Sequence, residues 1–251
     1  MAWTQFRSPA LPVVHRWERA SAVLEATVRA AVPAWKGGEG IPDEPASFEA
    51  VLSARALLAM GERDATKDLV RAMAVALAAG RVARPVVPAL QHLYSDFLAW
   101  TGDVDFTSRY PAGLDRMAQL PDPARQPLLM AAPDTAVGWG VVGDVVERLF
   151  ALAPDALAGR LACRPALPAG WREMALEKLR VGGTTLDLLV RRTPSALVVR
   201  ASRLHGPRLR LEVEPPAGVT PAGVMVDEVP LGAPRAAFEL AGEHEVQFLL
   251  A

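Results

Sequence analysis

The sequence predicts an α+β protein: an incomplete α/α toroid of helical hairpins over residues 1–159, followed by an antiparallel β-sandwich-like domain over 160–251. Three observations predict it. Apolar residues in the first 150 positions recur every three or four residues. Glycines punctuate that pattern at helix-length intervals. After Pro154 the period changes to two, with apolar and charged residues alternating. Helices and strands thus occupy separate blocks, and no strand is expected before residue 150.

The first helix runs from Arg16 to Val32, with Trp17, Ala20, Val23, Leu24, Val28 and Ala31 on one face. Pro33 and Gly37-Gly38 are expected to end it. A loop rich in glycine and proline, Trp35 to Pro45, follows. Ser47 is the expected N-cap of a second helix carrying Phe48, Val51, Leu52 and Leu58, which Gly61 ends. A third spans Arg63 to Ala79, with Leu69, Val70, Met73, Ala76 and Leu77 inward and Gly80 as its stop. A fourth spans Pro88 to Thr101, with Leu90, Leu93, Tyr94, Phe97 and Leu98 inward. Helical character continues from Asp105 to Leu120, with Pro111 opening a new helix; Pro121 to Pro133 is a proline-rich connection; Thr135 to Leu152 is the last helix. Short turns between these segments describe αα-hairpins.

In the second block, Thr184, Leu186, Leu188 and Val190 alternate with Thr185, Asp187 and Arg191. Arg208 to Glu214 places Leu209, Leu211 and Val213 on one side and four charges on the other. Gly182-Gly183 fits a two-residue hairpin turn, since glycine accepts positive φ. Val224–Val226 and Phe238–Leu250 supply further strands. One apolar and one polar face per strand calls for antiparallel sheets packed on each other or on helices.

Composition excludes several functions. Of 251 residues, 51% are apolar or aromatic, and 27 basic residues face 28 acidic ones for a net charge of −1. No basic stripe offers a nucleic-acid footprint. The single cysteine, Cys163, lies in an apolar segment and is expected to be an inert core thiol. His15, His92, His205 and His244 are scattered, without metal-ligand spacing, so no metal or other cofactor is expected. There is no apolar leader and no charge-free run of about 18 residues, so no membrane partner and a cytoplasmic location are expected. Ser47 and Ser53 lack the nucleophile-elbow context of serine hydrolases.

The stretch GDVVERLFALAPDALAGRLACRPALPAGWREMALEKLRVGGTTLDLLVRR is similar to the end of the six-hairpin glycosidases, the (α/α)6-barrel enzymes that include glycogen-debranching, trehalase and rhamnosidase relatives. The matching residues are Gly143 to Phe150, Pro154-Asp155, Pro165, Leu167-Pro168 and Gly170-Trp171. Upstream, GERDATKDLVRAMAVALAAGRV and LYSDFLAWTGDVDF resemble two of the family's helices with their turns. The resemblance covers most of the chain and rests on packing and turn motifs. It implies a carbohydrate-associated protein of this fold. The chain departs from the family pattern where catalysis resides. Pro45 to Ala50 lacks the Arg-Asp pair that opens one barrel helix, and Gly80 to Pro88 runs straight into the next helix without the family's Tyr-Asn-containing segment.

Glycoside hydrolysis uses two carboxyl groups flanking the bond. The candidate catalytic carboxylates are Glu39, Asp43 and Glu44, in the loop beside Trp35, whose ring could stack a sugar and raise a neighbouring carboxyl pKa. The competing reading is a solvated loop with ordinary charges. Trp139 is the other candidate sugar-binding residue, although Trp100 and Trp139 both sit at core-facing helical positions. Asp103 and Asp105 follow Thr101-Gly102 and read as a helix stop and an N-cap; Asp134 and Thr135 read as the N-cap region of the last helix, and Glu147 as a solvent-facing or ion-paired side chain. Two function classes stand: a reduced glycosidase relative without a complete catalytic site, serving in binding, scaffolding or as part of a split enzyme, and an active hydrolase using the loop carboxylates. An incomplete toroid leaves apolar edges open, so a homodimer or a companion chain docking through the helical half is expected.

Overall fold

The computed structural model describes residues 4–37, 44–82, 86–109 and 138–250. A short strand β1 (Gln5–Arg7) precedes helices α1 (Leu11–Gly37), α2 (Glu44–Ala59), α3 (Asp64–Ala78), α4 (Val87–Thr101), α5 (Val104–Ser108) and α6 (Trp139–Gly143). The last of these continues directly into a π-helical turn over Asp144–Leu149. Ten strands follow: β2 (Ala153–Asp155), β3 (Arg160–Cys163), β4 (Glu173–Val181), β5 (Thr184–Arg192), β6 (Ala196–His205), β7 (Leu209–Val213), β8 (Gly223–Val226), β9 (Val229–Leu231), β10 (Ala236–Leu240) and β11 (Glu243–Leu249).

The helical elements form because their apolar residues share faces. Trp17, Ala20, Leu24, Val28 and Trp35 make the buried stripe of α1. That helix does not stop at Pro33, as its sequence predicts, but carries the proline inside and ends at Gly37. Proline removes one backbone donor from the ladder. The turn beyond it is anchored by Trp35, only 2% exposed, which belongs to the helix rather than to the loop. Ser47 is likewise not an N-cap: α2 begins at Glu44, and Ser47 lies buried within it. From Ser53 to Met60 every residue of α2 and its C-terminal end is buried, so α2 is the central helix of this half.

Glycines end the helices where expected. Gly61, at φ +85°, donates to the Leu58 carbonyl while Glu62 N–H reaches Leu57 O at 2.9 Å, the paired bonds of a left-handed C-terminal cap. Gly80 and Arg81 repeat the arrangement on Leu77 and Ala76. The expected helix from Asp105 is present as far as Ser108, whereas its continuation to Leu120, the connection Pro121–Pro133 and the start of the last helix at Thr135 lie outside the described residues.

The strands form a seven-stranded sheet in the order β1-β4-β5-β6-β11-β8-β9 and a four-stranded sheet in the order β10-β7-β3-β2. All pairings are antiparallel except β3 with β7. Along β5, Thr184, Leu186, Leu188 and Val190 are buried and the residues between them are not, as the alternation predicts. The Gly182-Gly183 turn closes the β4–β5 hairpin, with Val181 opposite Thr184. The strands of the second block begin at Ala153. Contrary to the expectation of no strand before residue 150, β1 pairs antiparallel with β4 through Phe6 opposite Leu176. Phe6 is drawn there by burial against Trp17, ring centroids 6.1 Å apart, and the Trp17 indole donates to the Thr4 carbonyl at 3.0 Å. One contiguous set of buried side chains runs from these residues through the helices into both sheets.

Candidate functional site

Helices and sheets meet at the C-terminal end of α4. There the β4–β5 turn reaches back: Gly182 N–H donates to Trp100 O at 2.8 Å, and Ala156 N–H donates to Ala99 O at 2.8 Å. The last carbonyls of α4 thus find donors in the β half instead of in water. Gly102 and Gly182, both at positive φ, press on Ala156, where an added Cβ would stand 3.3 Å from its atoms. This tight junction fixes three backbone segments around one polar cleft.

The cleft has a volume of about 440 Å3, within the range of small-molecule sites. Arg63, Asp64 and Lys67 come from the start of α3, Thr101, Asp103 and Asp105 from the α4–α5 turn, and Gly182-Gly183 from the hairpin. A smaller hollow of about 170 Å3 shares Lys67, Asp103 and Asp105 and adds Arg71 and Arg109. Phe97 lines the first and Phe106 the second, their ring centroids 5.2 Å apart.

Each charged group has a defined setting. Lys67 Nζ lies 2.6 Å from Asp103 Oδ2 and 5.6 Å from the centre of the Phe106 ring. Asp103 Oδ1 accepts from Phe106 N–H at 3.0 Å, so the cap of α5 falls at Asp103, while Asp105 lies within the helix. The Lys67 ammonium, helped by that amide, holds the Asp103 carboxyl below the usual carboxylate range against a desolvation that opposes it. Arg63 is half-buried; its Nη2 donates to Trp100 O at 3.4 Å, and no carboxylate pairs with it among the described residues. Burial, and then the nearby Arg180 guanidinium, push Arg63 down to about 10. Arg180 itself donates to Gly61 O at 3.3 Å, two residues before Arg63.

The cleft therefore combines fixed donors, an ionised acceptor and the exposed carboxylates Asp64 and Asp105 over an aromatic floor. Such a mixture suits a polyol, whose hydroxyls both donate and accept. It offers no general acid at Asp103, since an ionised carboxylate has no proton to give.

The sequence-predicted site residues fall elsewhere. Glu39 and Asp43 lie outside the described residues, and Glu44 is the first residue of α2. Trp35 and Trp139 are buried on α1 and α6, 2% and 9% exposed, and neither indole N–H has a partner among the described residues. Asp134 and Thr135 are outside the described residues, and Glu147 lies on the π-helical turn. Sequence reasoning missed Arg63, Lys67 and Arg71. Their signal was present: they stand four residues apart, a single stripe of cations on α3. A second feature, buried between α2 and α4, was missed as well. Arg55 Nε meets Asp96 Oδ2 at 2.7 Å, with Gln91 and His92 also buried on α4. Cys163 is buried, its thiol pushed up to about 12 by desolvation, which leaves it unreactive.

A larger groove of about 560 Å3, lined by Leu11, Val14, Arg172 and Leu189, lies beside the β1–α1 junction. It is mostly apolar, with Arg7, Arg172 and Glu173 as its charged residues. Among the described residues no helix is long and apolar enough to cross a membrane.

The chain matches no protein-family description and no curated protein. Among solved structures it is similar to the Streptomyces avermitilis alpha-L-rhamnosidase complexed with L-rhamnose, with 17% identity, 78% of this chain and 21% of that one covered, and a TM-score of 0.32. It is similar to the alpha-L-rhamnosidase from Dictyoglomus thermophilum, with 9% identity, coverage of 85% and 33%, and a TM-score of 0.35. A third is the GH127 beta-L-arabinofuranosidase from Geobacillus stearothermophilus T6, with 9% identity, coverage of 80% and 41%, and a TM-score of 0.31. The chain spans less than half the length of each of these enzymes.

Proposed function

We propose that this chain is a reduced relative of the six-hairpin glycosidases that holds a saccharide in the junction cleft without hydrolysing it. The observation that carries the reading is the state of Asp103. A glycosidase needs one carboxyl that keeps its proton and a second that attacks or activates water. Here the central carboxylate of the cleft is bonded at one oxygen to Lys67 and at the other to a backbone amide, which favours its charged form. Such a group binds and orients; it does not protonate a leaving oxygen. The family-like turn motifs of Gly143–Phe150 and Pro165–Trp171 support the carbohydrate assignment, and the departures at Pro45–Ala50 and Gly80–Pro88 support the loss of catalysis.

The test pairs turnover with binding. Purified protein is expected to release no aryl alcohol from aryl α-glucosides or α-L-rhamnosides while an oligosaccharide shifts its thermal midpoint. Turnover that disappears in E39A or D43A would establish the hydrolase reading instead. The same reading includes a second copy, or a companion chain, on the helical half, where Val23 and Val75 are large apolar side chains exposed on α1 and α3. Light scattering at micromolar concentration is expected to give a mass above one chain, and a strictly monomeric particle overturns this part.

A further inference from the structure

The half-buried Arg63 makes no ion pair among the described residues, and the reading of the cleft as a saccharide site does not account for it. Arg63 lines the cleft together with Gly182 and Gly183 and spends one N–H on the Trp100 carbonyl. Asp103 favours its charge without pairing with it, against burial and Arg180, which both oppose it. Asp103 is engaged by Lys67, Asp68 is engaged by Arg71 at 3.0 Å, and Glu62 Oε1 accepts from the Asp64 and Ala65 amides. Arg180 adds a second guanidinium beside it, tied to Gly61. A cation removed from water without a partner is unfavourable, and two adjacent guanidiniums compound the cost. A planar carboxylate relieves both, because it accepts two parallel N–H bonds from one guanidinium fork. Asp64, Asp105 and Thr101, which can bond hydroxyls, line the same cleft as Arg63, so one ligand can meet both kinds of group.

We propose that the junction cleft selects a saccharide carrying a carboxylate, a uronate, with Arg63 as the residue that receives the charged group and Arg180 as a supporting cation. This rests on the saccharide reading of the cleft and adds the charge of the ligand to it. Burial, with Arg180 adding to it and Asp103 opposing it, brings Arg63 down to about 10, the direction expected of a partly desolvated cation.

Titration calorimetry of the full chain at fixed ionic strength tests this with three probes: D-glucuronate, D-glucose and inorganic sulfate. Glucuronate is expected to bind at least about tenfold more tightly than glucose, the scale of one charge-assisted hydrogen bond. In R63Q the preference is expected to vanish while the thermal midpoint holds or rises. R180Q, at an exposed position, guards against misfolding of the first variant and is expected to reduce the preference about threefold. Glucose binding equal to glucuronate overturns the proposal and leaves the saccharide reading standing. Sulfate binding as tightly as glucuronate reduces the cleft to a simple anion site and overturns both. So does the absence of binding by any probe. A preference that survives in R63Q removes Arg63 from the role and overturns the assignment.

Discussion

The helical half and the β half treat polar residues in opposite ways. In the β half, charges stay on outward strand faces and pair across strands: Arg200 with Glu243 and Glu245, Arg7 with Glu177, Arg208 with Glu239. In the helical half they go inside. Among the described residues every buried polar or charged side chain except Thr4 and Thr184 lies between Ser47 and Asp96. A sheet face can shed its polar residues to solvent at every second position, so burial there selects Leu, Val and Ala. A helix buried on all sides, as α2 is from Ser53 onward, has no such face; its polar residues persist only where partners satisfy them. The chemistry-bearing groups therefore collect in the helices and at their junction with the sheets, and the β half acts as the surface against which they are held.

The largest effects are expected inside the helical half. Asp96→Ala leaves the Arg55 guanidinium in the interior with its 2.7 Å partner removed, and should cost about 3–5 kcal/mol by chemical denaturation. Its β-half counterpart, Arg200→Ala, removes a half-exposed cross-strand cation and should cost no more than about 1 kcal/mol. Equal losses at the two sites would break the contrast.

Glycines sharpen it from the other side. At the β6–β7 turn Gly206, at φ +91°, would place a Cβ 2.1 Å from the Gly183 carbonyl oxygen, backbone against backbone. Gly206→Ala should cost at least about 3 kcal/mol. Gly80, at φ +68° after α3, has nothing within 4 Å of that position, so Gly80→Ala should cost only the left-handed backbone preference, about 1–2 kcal/mol.

A smaller, pH-dependent effect belongs to the cleft. The folded-state pKa of Asp103 is depressed, so its contribution is present above the unfolded carboxyl value and is lost as pH falls through the folded one. Lys67→Met should reduce stability at neutral pH by about 0.5–1 kcal/mol and flatten the loss between neutral and acid pH. Thermal midpoints at pH 7 and pH 3 check this. An unchanged acid dependence would place the linkage elsewhere, with Asp227 the next group to test: the Glu245 amide and His244 hold its carboxyl down.

The sequence made the β5 and β7 faces legible because a period of two needs only five or six residues to declare itself, and it located the helix ends at Gly61, Gly80 and Gly102 because few other residues accept their φ. β1 escaped because three residues carry no period, and β6 escaped because Ala196 to Val199 is a continuous apolar run rather than an alternation. Reading polar residues as outward hid Arg55, Gln91, His92 and Asp96. The cleft was illegible for a different reason. Arg63–Lys67, Thr101–Asp105 and Gly182–Gly183 are brought together by tertiary contact alone, and no local motif spans them. Only the helix stop and cap around Thr101–Asp105 showed in advance; the four-residue spacing of Arg63, Lys67 and Arg71 stood in the sequence but went unread.

The central claim is that the junction cleft holds a saccharide and leaves it intact. The most direct measurement is an NMR titration of the isotopically labelled chain with neutral and uronate-bearing oligosaccharides, following protein amides and sugar signals together. The account predicts amide shifts confined to Arg63–Lys67, Thr101–Asp105 and Gly182–Gly183, with sugar signals unchanged over time. New reducing-end signals, or shifts that cluster away from these segments, would contradict it.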